Sequence, residues 1–307
     1  MLVNFYEKVT DRLLGTAAAD HGDRLLAKVR LADVIEVEHL TGRAKSYGLS
    51  SHLDFVMVRA DTSEPRFAVE LDGAQHWRDP AVKERDRLKD DLCELAGLPL
   101  LRVTSAFTRQ QGRWTVLTYL VDAFYFAQAF YEAQKSGSIP WDEPFDAGSF
   151  ITADDDNQPN FNMLDAAARR RLWARQEAGS LPAAMPDTWL TSDAEERAVH
   201  AHAFLAVATD RYLIAHVRVR DFSFPGVGPG ELAMQLAVLE VEELASQWLA
   251  GEPVASNGRD LAKAMAEVQR HIDARGFLGS ATGGGLEPGG PMSFTIRVRF
   301  NNQGRQD

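Results

Sequence analysis

The sequence contains one cysteine, Cys93, and no apolar run near the roughly 18–20 residues that a membrane-spanning helix needs. A single thiol excludes an intrachain disulfide and a zinc site built from several cysteines. The N-terminal stretch MLVNFYEKVTDR lacks the basic region and following apolar stretch of a secretory signal. We therefore expect a soluble, cytoplasmic protein that does not associate with a membrane.

An excess of positive charge is also missing. The net charge of −11 argues against a protein whose whole surface coats nucleic acid. The negative charge is uneven, because residues 1–140 carry a net −2 and residues 141–307 a net −9. If one half binds a polyanion, we expect it to be the first, whereas the acidic second half could recruit a protein partner.

The composition itself, 45% apolar and 25% charged, is ordinary for a globular protein. The hydrophobic pattern of the first half predicts a mixed α/β order. Its predicted elements are a helix over 3–14, a strand within 24–37, strands over 52–60 and 66–73, a helix over 79–97, a strand over 99–105 and a helix over 112–135. The short gap between the strands at 52–60 and 66–73 indicates an antiparallel hairpin. The polar stretch at 41–51 is predicted to be a loop.

Residues 136–160 are rich in Pro, Gly, Asp and Asn, which is typical of a linker. They divide the chain into a first domain over 1–135 and a second α/β domain over 161–307, of unknown fold and role. Predicted helices in the second domain cover 163–177, 193–208, 231–250 and 259–275, and predicted strands cover 212–224 and 293–300. His200 and His202 are too close together for the i, i+4 metal pair of a helix.

Carboxylates concentrate on the predicted hairpin, where Asp54 lies on one strand and Glu70 and Asp72 on the next. Because side chains alternate along a strand, Glu70 and Asp72 share a face, and the hairpin can bring Asp54 opposite them. Three converging carboxylates repel one another, and a hard divalent cation such as Mg²⁺ would relieve that repulsion. The alternative is that Asp72-Gly73 forms only a turn and that Glu70 is solvated.

Four segments resemble, in the same order, a bacterial branch of the PD-(D/E)xK nuclease superfamily. They read KVRLADVI, HLDFVMV, VELDGAQH and RDRLKDDLCELAGLPLLRV, and they are also similar to very-short-patch-repair-like endonucleases. The resemblance covers about residues 1–105. It implies a restriction-endonuclease-like αβββαβ core, with a metal site at the ends of the second and third strands.

Carried over by this resemblance, Asp54 corresponds to the first acidic metal ligand and Glu70 to the second, with the Leu71 carbonyl contributing. The superfamily has a lysine two residues after the second acid, and here Asp72 stands in that place. Glu7 is interpreted as a solvated helix residue, with a position near the metal as the alternative.

A basic or imidazole group elsewhere could take the place of the missing lysine. The candidates are His76 just after the glycine turn and, on the following helix, Lys83, Arg85 and Lys89. Helical spacing puts Arg85 and Lys89 on the face that packs on the sheet, whereas Lys83 lies to the side.

These observations predict a metal-dependent endonuclease that hydrolyses phosphodiester bonds, with DNA as the expected nucleic acid and Mg²⁺ or Mn²⁺ as the cofactor. The metal ligands would be Asp54, Glu70 and Asp72, and His76 or Lys89 would orient water or stabilise developing charge. Arg85 and Lys83 would contact substrate phosphate. Two alternatives are a nucleic-acid-binding module that keeps the fold without cleavage, and a protein-interaction scaffold.

Overall fold

The structure of the protein, a computed structural model, describes residues 5–73, 78–149, 151–153, 159–161, 163–288 and 293–296. The chain forms two compact units. The first comprises Met1–Leu164 together with Phe222–Gly228, and the second comprises Asp165–Asp221 and Pro229–Asp307. None of the helices in this described part is long and apolar enough to cross a bilayer.

The first unit is a mixed α/β structure, as the hydrophobic pattern predicts. Its main helices are α1 (Phe5–Asp20), α2 (Gly42–Ser50), α3 (Pro80–Leu95) and α4 (Val116–Lys135). Its main strands are β1 (Asp23–Arg30), β2 (His52–Arg59), β3 (Pro65–Leu71) and β4 (Leu100–Val103). Two small hairpins pair β5 (Gln110–Gln111) with β6 (Trp114–Thr115), and β7 (Ile151–Ala153) with β8 (Pro159–Phe161).

The main strands form one sheet in the order β1-β2-β3-β4. Neighbours from β1 to β3 are antiparallel, so the predicted hairpin is confirmed. β4 runs parallel to β3 because the chain returns to the sheet through α3. The 41–51 segment is a helix, α2, and the prediction of a loop there is wrong.

Helices cover both faces of this sheet. Alternation along β3 turns Ala68 toward a core that includes Leu92 and Cys93 of α3. The neighbouring Phe67 packs instead on Phe124 of α4, with 4.8 Å between ring centroids. Burial raises the pKa of the Cys93 thiol to about 12, which makes it an inert core residue.

The start of α3 follows from its sequence. Asp79 accepts a hydrogen bond from the Ala81 backbone amide, and Pro80 is the first helical residue, as predicted. Gly97 follows the helix with φ +67°, a left-handed conformation that glycine adopts readily. These signals set the two ends of α3, whose buried side chains pack along the sheet.

A short segment, Phe222–Gly228, belongs to the first unit although it follows the third strand of the second. Phe224 is buried, and its ring centroid lies 5.1 Å from Phe67 and 5.2 Å from Phe124. Gly226 has φ +103°, and a Cβ there would lie 2.4 Å from the Ala123 carbonyl oxygen. The predicted second domain covers the whole of 161–307, because an isolated apolar segment gives no sign in the sequence of where it packs.

The second unit contains a five-stranded antiparallel sheet in the order β11-β10-β9-β12-β13. Its strands are β9 (Asp187–Asp193), β10 (Ala198–Ala208), β11 (Arg211–Arg220), β12 (Phe277–Thr282) and β13 (Ser293–Ile296). Its helices are α5 (Ala166–Glu177), α6 (Pro229–Leu249) and α7 (Gly258–Arg275). The three helices follow the predictions closely. The predicted helix over 193–208 is wrong, because β10 occupies most of that range.

Four histidines pack together in this unit. On β10, His200 and His202 point to the same face because they are two residues apart on a strand. His216 of β11 stacks on His202 with 4.2 Å between centroids, and His271 of α7 lies 5.3 Å from His200. Because His200 and His202 lie on a strand, the i, i+4 spacing of a helical metal pair does not apply to them. We call this group the histidine cluster.

Candidate functional site

A row of charged residues crosses the four-stranded sheet of the first unit. Ala27 pairs with Phe55 and Val29 with Leu53, so Lys28 stands opposite Asp54. The register of β2 and β3 in turn places Asp54 opposite Glu70, and Glu70 pairs with Arg102 of β4. We call these four residues, Lys28, Asp54, Glu70 and Arg102, the charged row. Like charges directly opposite each other are unfavourable, so the central acids need nearby cations.

Lys89 of α3 supplies a cation to Glu70. Its Nζ lies 2.6 Å from Glu70 Oε2 and also donates to the His52 carbonyl oxygen at 2.7 Å. The side chains of Lys89 and Glu70 are only 10% and 8% exposed. Burial raises the pKa of the Glu70 carboxyl, and Lys89 opposes that rise by stabilising the charged form. The structure thus brings together two residues that the sequence analysis selected.

Asp54 is held by one ammonium group and one backbone amide. Its Oδ1 accepts from Lys28 Nζ at 2.6 Å, and its Oδ2 accepts from the Leu71 amide at 2.9 Å. The Asp54 amide in turn donates to Glu70 Oε1 at 3.1 Å. All four carboxylate oxygens of Asp54 and Glu70 therefore accept hydrogen bonds within one connected network.

Lys28 also reaches Glu7 of α1, with 3.0 Å between Nζ and Oε1. Burial alone would lower the pKa of Lys28, but its hydrogen bonds to Asp54 and Glu7 raise it overall. The interpretation of Glu7 as a solvated helix residue is incomplete, since its side chain is 23% exposed and paired at the site. Lys28 is not among the residues that the sequence predicts for the site. The available signal was a lysine inside the strand pattern RLLAKVRL.

The backbone of Lys28 has φ +54°, in the left-handed region that side chains other than glycine, asparagine and aspartate rarely adopt. Such conformations persist where the surrounding structure enforces them, and they cluster at functional sites. Lys28 therefore combines an unfavourable backbone conformation with two carboxylate contacts.

Arg102, at the other end of the charged row, forms ion pairs with three acids. Its guanidinium lies 3.1 Å from Asp72 Oδ1, 3.4 Å from Asp86 Oδ1 and 2.8 Å from Asp90 Oδ1. Burial alone would lower the pKa of Arg102, but the carboxylates of Asp90, Asp72 and Asp86 raise it overall. Asp72 was expected beside Asp54 and Glu70 as a metal ligand. In the structure its carboxylate is instead paired with the buried guanidinium of Arg102.

Two further predicted residues, Arg85 and Lys83, lie on α3 outside the charged row. Arg85 is exposed on α3 and donates to the Ala81 carbonyl oxygen, so the prediction that it faces the sheet is wrong. Asp86 occupies the buried face in its place because Arg102 draws it inward. Lys83 is half-buried on the same helix. His76 lies outside the described residues.

The opposed carboxylates of Asp54 and Glu70 are oxygen donors of the kind that Mg²⁺ prefers. In the described part of the chain, no three His, Cys, Asp or Glu side chains are arranged to hold a metal ion. A Mg²⁺ site commonly uses only one or two protein carboxylates, with water and substrate phosphate completing the shell. The donor set of Asp54 and Glu70 is therefore chemically suited to such a site.

Comparison with known proteins relates part of the first unit to a protein family. A family model described as "Protein of unknown function (DUF2726)" matches residues 4–115, a range that contains the whole charged row and Lys89. The first part of this chain is thus similar to that family. No curated protein and no solved structure matches the chain.

Proposed function

We propose that the first unit is a restriction-endonuclease-like domain of the PD-(D/E)xK type, which hydrolyses phosphodiester bonds in nucleic acid, with DNA as the expected substrate. The order α1-β1-β2-β3-α3-β4, with α2 inserted after β1, supports this proposal. The observation that carries it is the pair of opposed carboxylates, Asp54 and Glu70, with the buried Lys89 ammonium on Glu70.

Asp54 and Glu70 would hold a Mg²⁺ or Mn²⁺ ion. When bound, the ion would polarise the scissile phosphate and lower the pKa of a coordinated water. Asp72 is not assigned to the metal in this proposal because its carboxylate is paired with Arg102.

The surrounding residues orient these two acids. The Leu71 amide fixes the direction of the Asp54 carboxylate, and the Asp54 amide does the same for Glu70. Lys89 favours the ionised form of Glu70 in a buried place, because an ammonium 2.6 Å away offsets part of the desolvation penalty. In this proposal Lys89 takes the part of the lysine that Asp72 replaces, and it stabilises negative charge at the reacting phosphate.

A second candidate function is a nucleic-acid-binding module that has lost cleavage. The observation favouring it is that both Asp54 and Glu70 have lysine ammonium groups as partners. In that case the domain would bind nucleic acid equally well with and without a divalent cation.

The test is Glu70→Gln, which keeps the shape of the side chain but removes its charge and replaces one acceptor oxygen by an amide NH₂ donor. We expect single-turnover cleavage of a plasmid and of single-stranded DNA, with Mg²⁺ or Mn²⁺, to fall by roughly 100-fold or more. The matched control is Glu84→Gln, on the same unit, where an exposed glutamate pairs with Arg43.

Wild-type rates in Glu70→Gln would refute the metal assignment. A wild-type protein that binds DNA in EDTA and in Mg²⁺ alike, and cleaves in neither, would favour the binding module instead.

A further inference from the structure

Lys28 lies on the accessible side of the charged row. Its side chain is 54% exposed, whereas that of Lys89 is 10% exposed. Asp54 is 23% exposed, and Glu70 is buried beneath it. A solvated ion that approaches the two acids therefore meets Lys28 and Asp54 before it meets Lys89 and Glu70.

The ammonium of Lys28 occupies a cation position. It lies 2.6 Å from Asp54 Oδ1 and 3.0 Å from Glu7 Oε1, so it neutralises two acids that would otherwise repel each other. A divalent cation that binds Asp54 through the same oxygen must displace this ammonium, because the two positive charges repel at such short range.

The backbone supports a specific role for this lysine. Position 28 has φ +54°, which glycine or asparagine would accept more easily than lysine does. A lysine there costs stability, and strained residues of this kind mark functional positions.

We infer that Lys28 controls the entry of the divalent cation: its ammonium substitutes for the metal on Asp54 in the cation-free protein and, once displaced, stays tethered to Glu7 as a contact for substrate phosphate. This inference rests on the proposed function, since it requires Asp54 to be a metal ligand. The second contact, Glu7, keeps the displaced ammonium near the site and accessible to a polyanion. In this role Lys28 weakens the binding of the metal and strengthens the contact with the substrate phosphate.

The experiment measures Mn²⁺ binding to the full-length protein, without nucleic acid, by electron paramagnetic resonance. Lys28→Asn removes the charge with a residue that tolerates the left-handed backbone, and Lys28→Arg keeps the charge. Lys28→Gly is a second neutral variant free of backbone strain. Lys135→Asn is the matched control, because Lys135 is 62% exposed and pairs with Glu132 in the same unit.

We expect Lys28→Asn and Lys28→Gly to bind Mn²⁺ at least about threefold more tightly than wild type, since a competing ion pair is lost. At saturating Mn²⁺ their single-turnover cleavage should be slower by roughly tenfold, through the loss of a phosphate contact. Lys28→Arg, which keeps the competing charge, should bind Mn²⁺ no more tightly than wild type, and Lys135→Asn should resemble wild type in both measurements. A purely structural lysine would not tighten metal binding and slow cleavage at once.

Unchanged or weaker Mn²⁺ binding in both neutral variants overturns this role for Lys28. The metal-dependent nuclease then still stands if wild type binds Mn²⁺ and Glu70→Gln does not. If neither wild type nor Lys28→Asn binds Mn²⁺, the metal assignment and the role of Lys28 both fall.

Discussion

Lys89 is the residue whose loss should have the largest effect on both stability and cleavage. Its ammonium satisfies Glu70 and the His52 carbonyl oxygen in a buried position. We expect Lys89→Met to lower the free energy of unfolding by about 3–5 kcal/mol, because an unpaired buried carboxylate remains. Cleavage should fall by roughly 100-fold. Urea denaturation and single-turnover kinetics measure the two effects.

A double-mutant cycle separates the coupling between Glu70 and Lys89 from the effect of each single substitution on the stability of the fold. Glu70→Gln combined with Lys89→Met leaves no buried unpaired charge, so the double variant should be more stable than Lys89→Met alone. Lys83→Met, on the same helix and half-buried, is the control for replacing a lysine. Additive losses in the double variant would contradict a coupled pair.

At the scale of single residues, Asp54, Glu70 and Lys89 could be predicted as site residues from the sequence, because charged residues are conspicuous within apolar strand and helix patterns. It could not assign Lys28 or Arg102, since their partners depend on the register of three strands. The same limit applies to Asp72, whose place on the face of Glu70 was predictable but whose partner, Arg102, comes from a strand thirty residues further on.

Among the elements, the strands of the second unit carry the clearest pH-dependent feature. Within the histidine cluster His200 and His202 are buried, and in the described structure His200 Nε2, His202 Nε2 and His271 Nδ1 have no hydrogen-bond partner. Burial and the neighbouring rings lower the pKa of His200 to about 4 and that of His202 to about 3. Asp193 opposes this shift at His200. Folding therefore favours the neutral form of His200 and His202.

The sign of the pH effect follows from these shifts. An unfolded histidine binds a proton below its ordinary pKa of 6.5, whereas folded His200 and His202 do so only in stronger acid, so acid favours unfolding. We expect the contribution of His200 and His202 to the free energy of unfolding to be full above pH 6.5 and to fall by about 2 kcal/mol for each of them by pH 4.5. Urea denaturation over a pH series, followed by near-UV circular dichroism, measures this loss.

The variant that isolates the effect is His202→Phe, which keeps an aromatic ring beside His216 but cannot take up a proton. Its stability should decline less steeply than that of wild type between pH 6.5 and pH 4.5. His39→Phe replaces an exposed histidine of the first unit and should leave the slope unchanged. Parallel pH profiles for His202→Phe and wild type would refute the prediction.

Elements with clear signals were predictable, and those whose pattern depends on long-range packing were not. α3 has an N-cap, a proline and a terminal glycine, and its bounds were found within two residues. β10, with the sequence AVHAHAFLAVA, is buried along nearly its whole length, so the polar alternation of a half-exposed strand is missing. Its alanines favour a helix, and pairing on both sides with β9 and β11 overrides that preference.

Over the whole molecule, the stability of the first unit depends on a residue far along the chain. Phe224 packs on Phe67 and Phe124, which belong to β3 and α4. We expect Phe224→Ala to destabilise the first unit by about 3–5 kcal/mol, the range for removing a buried phenylalanine. Hydrogen exchange in α4 at low urea concentrations measures the loss within that unit.

Phe222→Ala is the control, because Phe222 is in the same segment but only partly buried. Its effect on exchange in α4 should be less than half that of Phe224→Ala. Equal effects of the two substitutions would show that Phe224 has no special place in the core.

The return of Phe222–Gly228 to the first unit has a consequence for synthesis on the ribosome. Residues 165–221 must be translated before this segment emerges. A nascent chain that ends anywhere within them has already made β1 to β4 and the charged row, yet the aromatic rings of Phe67 and Phe124 still lack Phe224. The nascent first unit should therefore stay open to chaperones until the first three strands of the second unit, β9 to β11, have been made. A translational pause within residues 165–221 would prolong that exposure.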